Sequence, residues 1–243
     1  MWRNRQVALI LPTYKEKKSI ASVISKFDAM GFIDDIVVVD NNAEKGTREE
    51  VAKTRARVVA ERKQGYGNAI RKGIMSTKAP LVIIAEPDGS FDGKDVVKLL
   101  AYSDDFDMVF GSRTHLPLVQ KGSDMRLYKR LGDVFLGRII TWLFLGPPLT
   151  DVGCTLRITS IKAWKKIESE CKSEDGIFAT EWLAVAAKNR IRFIEIPINY
   201  KARVGKSLFV EKPYTKGTVW GIRKFYCILK VWLYGILNKK LYE

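Results

Sequence analysis

The chain has 243 residues, and 47% of them are hydrophobic, so it is long enough to bury the core of one large domain. Its 42 Lys and Arg residues exceed its 27 Asp and Glu residues, and the net charge of +15 favours a phosphorylated, nucleic-acid or anionic-membrane partner. The single histidine, His115, excludes a histidine-cluster metal site. Three cysteines without metal-like spacing and an N-terminus without an apolar signal region predict a reduced, non-secreted protein.

Residues 1–110 alternate short apolar strands with amphipathic helices, which predicts a mainly parallel α/β sheet. The predicted strands are 7–11, 36–39, 56–60, 81–85 and 108–110. The predicted helices are 20–27, with Ser19 as N-cap, and then 47–55, 68–77 and 95–102. Parallel sheets bind ligands beyond the carboxyl ends of their strands, and three of these ends carry polar clusters, at 13–16, 40–42 and 86–90.

Two carboxylates one residue apart follow the fourth predicted strand. In an extended chain Glu86 and Asp88 point to the same side, while Pro87 stiffens the backbone and Gly89 lets it turn away. Two convergent carboxylates suit Mg²⁺ or Mn²⁺, with water and substrate phosphates as the remaining ligands. A Pro-Asp-Gly turn with solvated carboxylates explains the same residues equally well.

The second half of the chain is more apolar and more basic. Residues 134–149 contain Arg138 and are too few to span a bilayer, so we interpret them as an interfacial or buried helix. Residues 193–200 predict a strand, followed by a basic loop at 201–207. Residues 219–237 predict a basic amphipathic helix, with one apolar face formed by Ile222, Phe225, Leu229, Trp232, Leu233 and Ile236. Such a helix lies in a membrane interface or packs on its own domain.

Eight short motifs, in order along most of the chain, resemble the glycosyltransferases of family 2. They occupy residues 11–16, 39–41, 65–73, 86–91, 111–113, 150–157, 195–197 and 203–207. The resemblance is greatest to the dolichyl-phosphate mannose synthase and polyprenyl-phosphate glycosyltransferase branch. It implies a GT-A fold, which is an α/β fold with a Rossmann-like, mainly parallel sheet flanked by helices, here with C-terminal amphipathic interfacial helices.

The resemblance also implies a division of the chain and a role for individual residues. The catalytic domain is expected at 1–210, with a nucleotide-sugar-binding half at 1–110 and an acceptor-binding half at 111–210, and a membrane-interface helix at 211–243. The residues expected to bind the nucleotide are Pro12, Tyr14, Glu16, Asp40, Asn41 and Arg71. Those expected to hold the metal are Glu86, Asp88 and Ser90, with Glu86 standing where the family has aspartate.

The acceptor phosphate is expected to contact Arg113, Arg126, Arg203 and Lys206, and the catalytic residues would be Asp88, Arg113 and Arg203. Asp151 either organises the site or caps a loop. Glu181 lies near the position where relatives with a hydroxyl acceptor keep a catalytic base, so it is either such a base or a structural carboxylate.

The function implied is a metal-dependent, inverting transfer of a hexose of the mannose or glucose type. The donor would be a GDP- or UDP-linked sugar, the cofactor Mn²⁺ or Mg²⁺, and the acceptor a polyprenyl or dolichyl phosphate at the cytoplasmic side of a membrane, with the protein bound peripherally. A phosphate monoester is largely a dianion at neutral pH, so this acceptor needs cations more than a base.

Three other functions fit parts of the sequence. A sugar hydroxyl as acceptor, as in cell-wall or polysaccharide synthesis, would require a base. A catalytically inactive homologue could act as a scaffold. Nucleic-acid binding fits the charge, but the chain has no recognised binding motif, so we expect no nucleic-acid partner.

Overall fold

The structure, a computed structural model, describes residues 1–205 and 213–239, with side chains for 1–205 and 217–237. The strands are β1 (Val7–Thr13), β2 (Asp35–Asp40), β3 (Arg57–Ala60), β4 (Leu81–Ile84), β5 (Met108–Ser112), β6 (Arg157–Ser160) and β7 (Phe193–Pro197). The helices are α1 (Ile20–Asp28), α2 (Thr47–Val51), α3 (Tyr66–Met75), α4 (Asp95–Tyr102), α5 (Leu127–Phe144), α6 (Ile161–Ile167), α7 (Phe178–Lys188) and α8 (Pro213–Lys239), and Leu116–Leu118 forms a short 3₁₀ turn.

The seven strands form one sheet in the order β3-β2-β1-β4-β6-β5-β7. All neighbouring pairs are parallel except those of β6, which runs antiparallel to both β4 and β5. The predicted mainly parallel α/β architecture is therefore confirmed. The carboxyl ends of β1, β2 and β4 meet at one edge, which brings their polar clusters together.

The sheet is buried on both faces, and successive strand residues contribute to opposite core layers. In β1, Leu9 and Leu11 pack with α1 and α4, whereas Ile10 packs with α3 and α7. Continuous apolar runs such as Leu81–Ile84 are fully buried for this reason. Helices therefore cover both faces of the sheet in a three-layer arrangement.

Strand β6 was not predicted from the sequence, because its polar residues are buried by tertiary contacts. The guanidinium of Arg157 lies over the rings of Phe110 and Trp182, at 5.2 Å and 5.1 Å from the ring centroids. Thr159 has no exposed surface. Helices α6 and α7, which follow β6, were not predicted either.

Several predicted boundaries were wrong. The helix expected at 134–149 is α5, which begins at Leu127 and ends at Phe144, because Leu145 has a left-handed backbone with φ of 50° and prolines follow. The strand expected to reach residue 200 ends at Pro197, which has no N–H to donate. Ser19 occupies the N-cap position of α1, but its hydroxyl makes no cap hydrogen bond.

Helix α8 packs against α5 and α7 through one stripe and leaves another exposed. Ile228 is completely buried in this contact, and Val231 and Trp232 pack against the same core. Ile222 and Leu233, on the predicted apolar face, are exposed. Helix α8 therefore packs on its own domain and also keeps an exposed apolar surface. Within residues 1–205 and 213–239, no helix combines the length and the apolar character needed to cross a membrane.

Candidate active site

A cavity of about 660 Å³ lies beyond the carboxyl ends of β1, β2 and β4, where it is bordered by α5, α7 and α8. One side is lined by residues from the strand ends, including Pro12, Tyr14, Asn41 and Glu86. The other side is lined by residues of the second half, including Arg113, Arg126, Lys129, Asp133, Arg203 and Lys224. The cavity therefore joins the two halves of the expected site.

The carboxylate pair is held by a tight turn after β4. Gly89 has φ of 81°, a left-handed conformation that glycine adopts without strain, and the N–H of Ser90 donates to Oδ1 of Asp88 at 2.8 Å. The hydroxyl of Ser19 donates to the carbonyl of Pro87 at 2.7 Å. This contact explains why Ser19 does not cap α1: its side chain fixes the turn that carries the two carboxylates.

Asp88 is close enough to Glu86 to affect the ionisation of Glu86. Burial, with Asp88 beside it, raises the pKa of Glu86 to about 7. Asp88 is 2% exposed and forms an ion pair with Arg203, whose Nη2 also lies 3.7 Å from Oε2 of Glu86. The two adjacent carboxylates thus share one arginine as their positive partner.

These residues fit a divalent cation of the Mg²⁺ or Mn²⁺ type. Glu86 and Asp88 provide hard oxygen ligands, and the hydroxyl of Ser90 is buried without a hydrogen-bond partner among the described residues. The part of the chain that the structure describes contains no group of three or more His, Cys, Asp or Glu side chains that could hold a metal. Water and ligand phosphates would therefore have to supply the remaining coordination.

Arg113, at the end of β5, is rigidly oriented. Its backbone N–H and its Nε donate to Oδ2 of Asp151, and its Nη2 donates to Oδ1, all at 2.8 Å. Burial alone would raise the pKa of Asp151, but the guanidinium of Arg113 outweighs it and lowers the pKa to about 2. Asp151 thus holds the arginine in position.

Glu195 of β7 holds Asp151 in turn. Its carboxylate accepts hydrogen bonds from the N–H and hydroxyl of Thr150, at 2.8 Å and 2.7 Å, and from the N–H of Asp151 at 2.8 Å. Burial raises the pKa of Glu195 to about 7. The motif at 195–197, to which sequence reasoning assigned no role, therefore supports the loop that orients Arg113.

Four of the six expected nucleotide residues line the cavity, namely Pro12, Tyr14, Glu16 and Asn41. Glu16 also shapes the loop after β1, because its Oε2 accepts from the N–H groups of Tyr14 at 2.7 Å and Lys15 at 2.9 Å. Asn41 accepts from the N–H of Gly65 at 2.8 Å and so fixes the entrance to α3. The remaining surface of these residues borders the space beyond β1 and β2.

Asp40 and Arg71 are not part of the cavity lining. Asp40 pairs with Arg48 at 2.5 Å. Arg71 donates to the carbonyls of Cys171 and Ser173, at 2.8 Å and 3.0 Å. Arg71 thus holds the segment around residues 171–173, and Asp40 is bound to α2.

The other expected residues differ in their position. Arg126 is exposed and lines the cavity, whereas Lys206 lies outside the described residues. Glu181 is buried in α7 outside the lining, and its Oε2 accepts from the N–H of Ser173 at 2.7 Å. This contact is that of a structural carboxylate.

Sequence reasoning missed several lining residues, among them Gln64, Tyr66, Asp133 and Lys224. Tyr66 lies between two glycines, and neither position has room for a side chain. A β-carbon on Gly65 would lie 2.3 Å from the carbonyl oxygen of Glu174, and one on Gly67 would lie 2.2 Å from the carbonyl oxygen of Ser173. The Gly-Tyr-Gly sequence at 65–67 could therefore have indicated Tyr66 from the sequence alone. Asp133 and Lys224 had none, because helix packing alone brings them to the cavity.

Solved structures show the same fold at low sequence identity. Glucosyl-3-phosphoglycerate synthase from Mycobacterium tuberculosis, in complex with Mn²⁺, UDP and glucosyl-3-phosphoglycerate, superimposes with a TM-score of 0.72 and 14% identity. The match covers 94% of this chain and 80% of that one. The fold is therefore the GT-A fold that the motifs implied.

The family follows from the sequence itself. Residues 8–163 match the model of Glycosyl transferase family 2, and the chain belongs to this family of glycosyltransferases. A dolichyl-phosphate hexose transferase of Haloferax volcanii is 26% identical, over 83% of this chain and 85% of its own. A UDP-N-acetylglucosamine–dolichyl-phosphate N-acetylglucosaminyltransferase of Methanococcus voltae is 26% identical, over 97% of this chain and 99% of its own. The resemblance to the polyprenyl-phosphate branch is confirmed.

Proposed function

We propose that this glycosyltransferase moves a hexose from a UDP-linked donor to a polyprenyl phosphate at a membrane surface, with inversion at the anomeric carbon and with Mn²⁺ or Mg²⁺ as cofactor. The observation that carries the proposal is one cavity with Glu86 at its donor side and Arg113 and Arg203 at its acceptor side. The negative charge on the donor side suits the cation that accompanies a departing diphosphate. The positive charge on the acceptor side suits an incoming phosphate.

The donor side fits a nucleotide diphosphate. Pro12, Tyr14 and Asn41 border the space where the base and ribose would lie. Glu86, which also lines the cavity, and Asp88 would hold the cation. A divalent cation supplies charge neutralisation for the leaving diphosphate. A UDP-linked donor is favoured because the relative from Methanococcus voltae uses UDP-N-acetylglucosamine and the Mycobacterium tuberculosis enzyme binds UDP.

The acceptor side fits a phosphate monoester. Arg113 is fixed by Asp151, and only two of its side-chain N–H groups bind that carboxylate, so the remaining donors are available to a ligand. Arg126 and Arg203 line the same space. A phosphate dianion is already a nucleophile at neutral pH, so these cations need only orient it for in-line attack. The engagement of Glu181 with Ser173 agrees with a reaction that needs no carboxylate base.

A membrane surface is proposed as the location because the acceptor tail is apolar. Helices α5 and α8 pack side by side, border the cavity and carry exposed apolar side chains, namely Leu131, Phe135 and Trp142 on α5 and Ile222, Tyr226 and Leu233 on α8. Arg138 and Lys230 are exposed on the same two helices. Apolar side chains beside cations are the combination that anionic lipid surfaces attract.

A transfer assay tests the proposal. The purified protein is incubated with Mn²⁺, one of UDP-glucose, UDP-N-acetylglucosamine or GDP-mannose, and vesicles that contain either a polyprenyl phosphate or the corresponding polyprenol. The expected product is a polyprenyl phosphate sugar, formed from a UDP-linked donor and only when the polyprenyl phosphate is present. Its anomeric configuration should be opposite to that of the donor. Equal transfer to the polyprenol would instead indicate a hydroxyl acceptor.

A further inference from the structure

We propose that Lys224 of α8 binds the acceptor phosphate together with Arg113, so that the C-terminal helix completes the active site. This inference rests on the proposed function, since it concerns the phosphate of that acceptor. No sequence motif includes Lys224, which lies in a helix that the sequence assigned to a membrane interface or to packing on the domain. The structure places its ammonium group in the cavity lining, beside the arginine that the family motifs identify.

The geometry around Gly153 brings the two cations together. A β-carbon at Gly153 would lie 3.0 Å from Nη2 of Arg113 and also 3.0 Å from Nζ of Lys224. The two nitrogens therefore face the same small volume next to the Gly153 backbone. A tetrahedral phosphate has several anionic oxygens, so one phosphate group can accept from both cations.

Asp133 of α5 holds Lys224 in this position. Its Oδ1 lies 2.8 Å from Nζ of Lys224, and its Oδ2 lies 3.7 Å from Nη2 of Arg113. Both side chains are largely removed from water, with 16% exposure for Lys224 and 4% for Asp133. A carboxylate that spans two cations keeps them at a distance suited to an anion, and it orients Lys224 before any ligand arrives.

The hydrogen-bonding capacity of Lys224 points to a ligand. An ammonium group has three N–H donors, and among the described residues that of Lys224 donates to Asp133. Oδ2 of Asp133 is buried and has no hydrogen-bond partner among those residues. A buried ion pair is a poor source of stability when its remaining donors and acceptors are unsatisfied. A structural role alone therefore explains this cluster less well than a binding role.

The packing of α8 allows the side chain to reach the cavity. Gly221, one turn before Lys224, also lines the cavity, and no atom lies within 4 Å of the position that a β-carbon would take there. Ile228, one turn after Lys224, is completely buried against the core. The turn with Ile228 thus fixes the helix on the core, and the turn with Gly221 leaves room for a ligand. Lys224 lies between them, on the packed face of the helix.

Calorimetry with farnesyl phosphate, in the presence of Mn²⁺ and UDP, tests the inference on the full chain. The variants are Lys224→Met, Lys224→Arg and, as the control, Lys165→Met, which removes an exposed lysine of α6 that does not line the cavity. We expect Lys224→Met to bind farnesyl phosphate about 10- to 100-fold more weakly, because a charge-assisted hydrogen bond is lost. Lys224→Arg and Lys165→Met should stay within about twofold of wild type.

Two further measurements separate the outcomes. Binding of Mn²⁺ and UDP should be the same in all four proteins, and farnesol, which has no phosphate, should not distinguish Lys224→Met from wild type. Equal affinity of Lys224→Met and wild type for farnesyl phosphate overturns the inference and leaves the proposed function intact. Loss of Mn²⁺ and UDP binding in Lys224→Met also overturns it, since the residue would then be structural. If the wild type binds farnesol as tightly as farnesyl phosphate, both the phosphate acceptor of the proposed function and the role of Lys224 are refuted.

Discussion

The guanidinium of Arg203 donates a hydrogen bond to Oδ2 of Asp88 and lies 3.7 Å from the carboxylate of Glu86. These residues come from the loop after β7 and the turn after β4. One arginine thus neutralises part of the charge of the pair that would hold the cofactor. Arg203 also lines the cavity, so the same side chain borders both the carboxylate pair and the space proposed for the acceptor phosphate.

Replacing Asp88 with Ala should reduce transfer by at least about 100-fold, because the leaving diphosphate loses its neutralising cation. Calorimetry should show that Mn²⁺-dependent binding of the UDP-sugar is lost. The matched control is Asp92→Ala, which removes a nearby carboxylate that pairs with Lys201 at 2.7 Å and does not line the cavity. Unchanged transfer by Asp88→Ala, with the circular dichroism spectrum preserved, would refute the metal role of this residue.

The sequence was sufficient to predict the sheet and the strand ends, because those depend on local patterns. Val37, Val38 and Val39 form a continuous apolar run, and such runs are buried wherever a parallel sheet forms. Glu86 and Asp88 were found for the same reason, since they follow such a run directly.

The contacts that complete the site could not be predicted, because they join distant parts of the chain. Lys224 and Asp133 are 91 residues apart, and Arg203 and Asp88 are 115 residues apart. Each contact depends on how a helix or loop packs, and a single sequence has no local signal for that packing. Burial also hid β6, where Arg157 contributes to a core that its side-chain type does not suggest.

Glu195 should make stability depend on pH. Burial raises its pKa in the folded state to about 7, above its ordinary value near 4.5, so between these values the folded state binds more protons than the unfolded state. Stability from this group is therefore present at low pH and is lost as the pH rises through 7, by at most about 1.4 kcal/mol per pH unit.

Urea unfolding of wild type and Glu195→Gln at pH 5, 6, 7 and 8 measures this effect. The difference in free energy of unfolding, wild type minus variant, should fall across that range, because the glutamine does not titrate. A difference independent of pH would show that Glu195 keeps an ordinary pKa. Acceptor affinity should also weaken in the variant, since Glu195 supports the loop that carries Asp151.

Two helical glycines should respond oppositely to alanine. A β-carbon on Gly73 of α3 would lie 2.2 Å from Cγ2 of Ile10 and 3.0 Å from Cγ2 of Val39, so Gly73→Ala should destabilise the fold by about 1–3 kcal/mol. Gly132 of α5 has no atom within 4 Å of that position, so Gly132→Ala should stabilise it by about 0.5–1 kcal/mol. Thermal unfolding of the two variants checks the signs. A Gly73→Ala variant as stable as wild type would contradict this close packing of α3 on β1.

The exposed apolar side chains of α8 should determine binding to lipid. Ile222 is 62% exposed, and burying such a side chain contributes about 1.5–3 kcal/mol, so Ile222→Glu should weaken binding to vesicles of phosphatidylglycerol and phosphatidylcholine by about 10-fold or more. The control is Val97→Glu on α4, an exposed apolar residue on the opposite face of the sheet. Cosedimentation over a range of lipid concentrations compares the two variants with wild type. Equal loss in both would assign the effect to added negative charge, because the two changes carry the same charge and differ only in position.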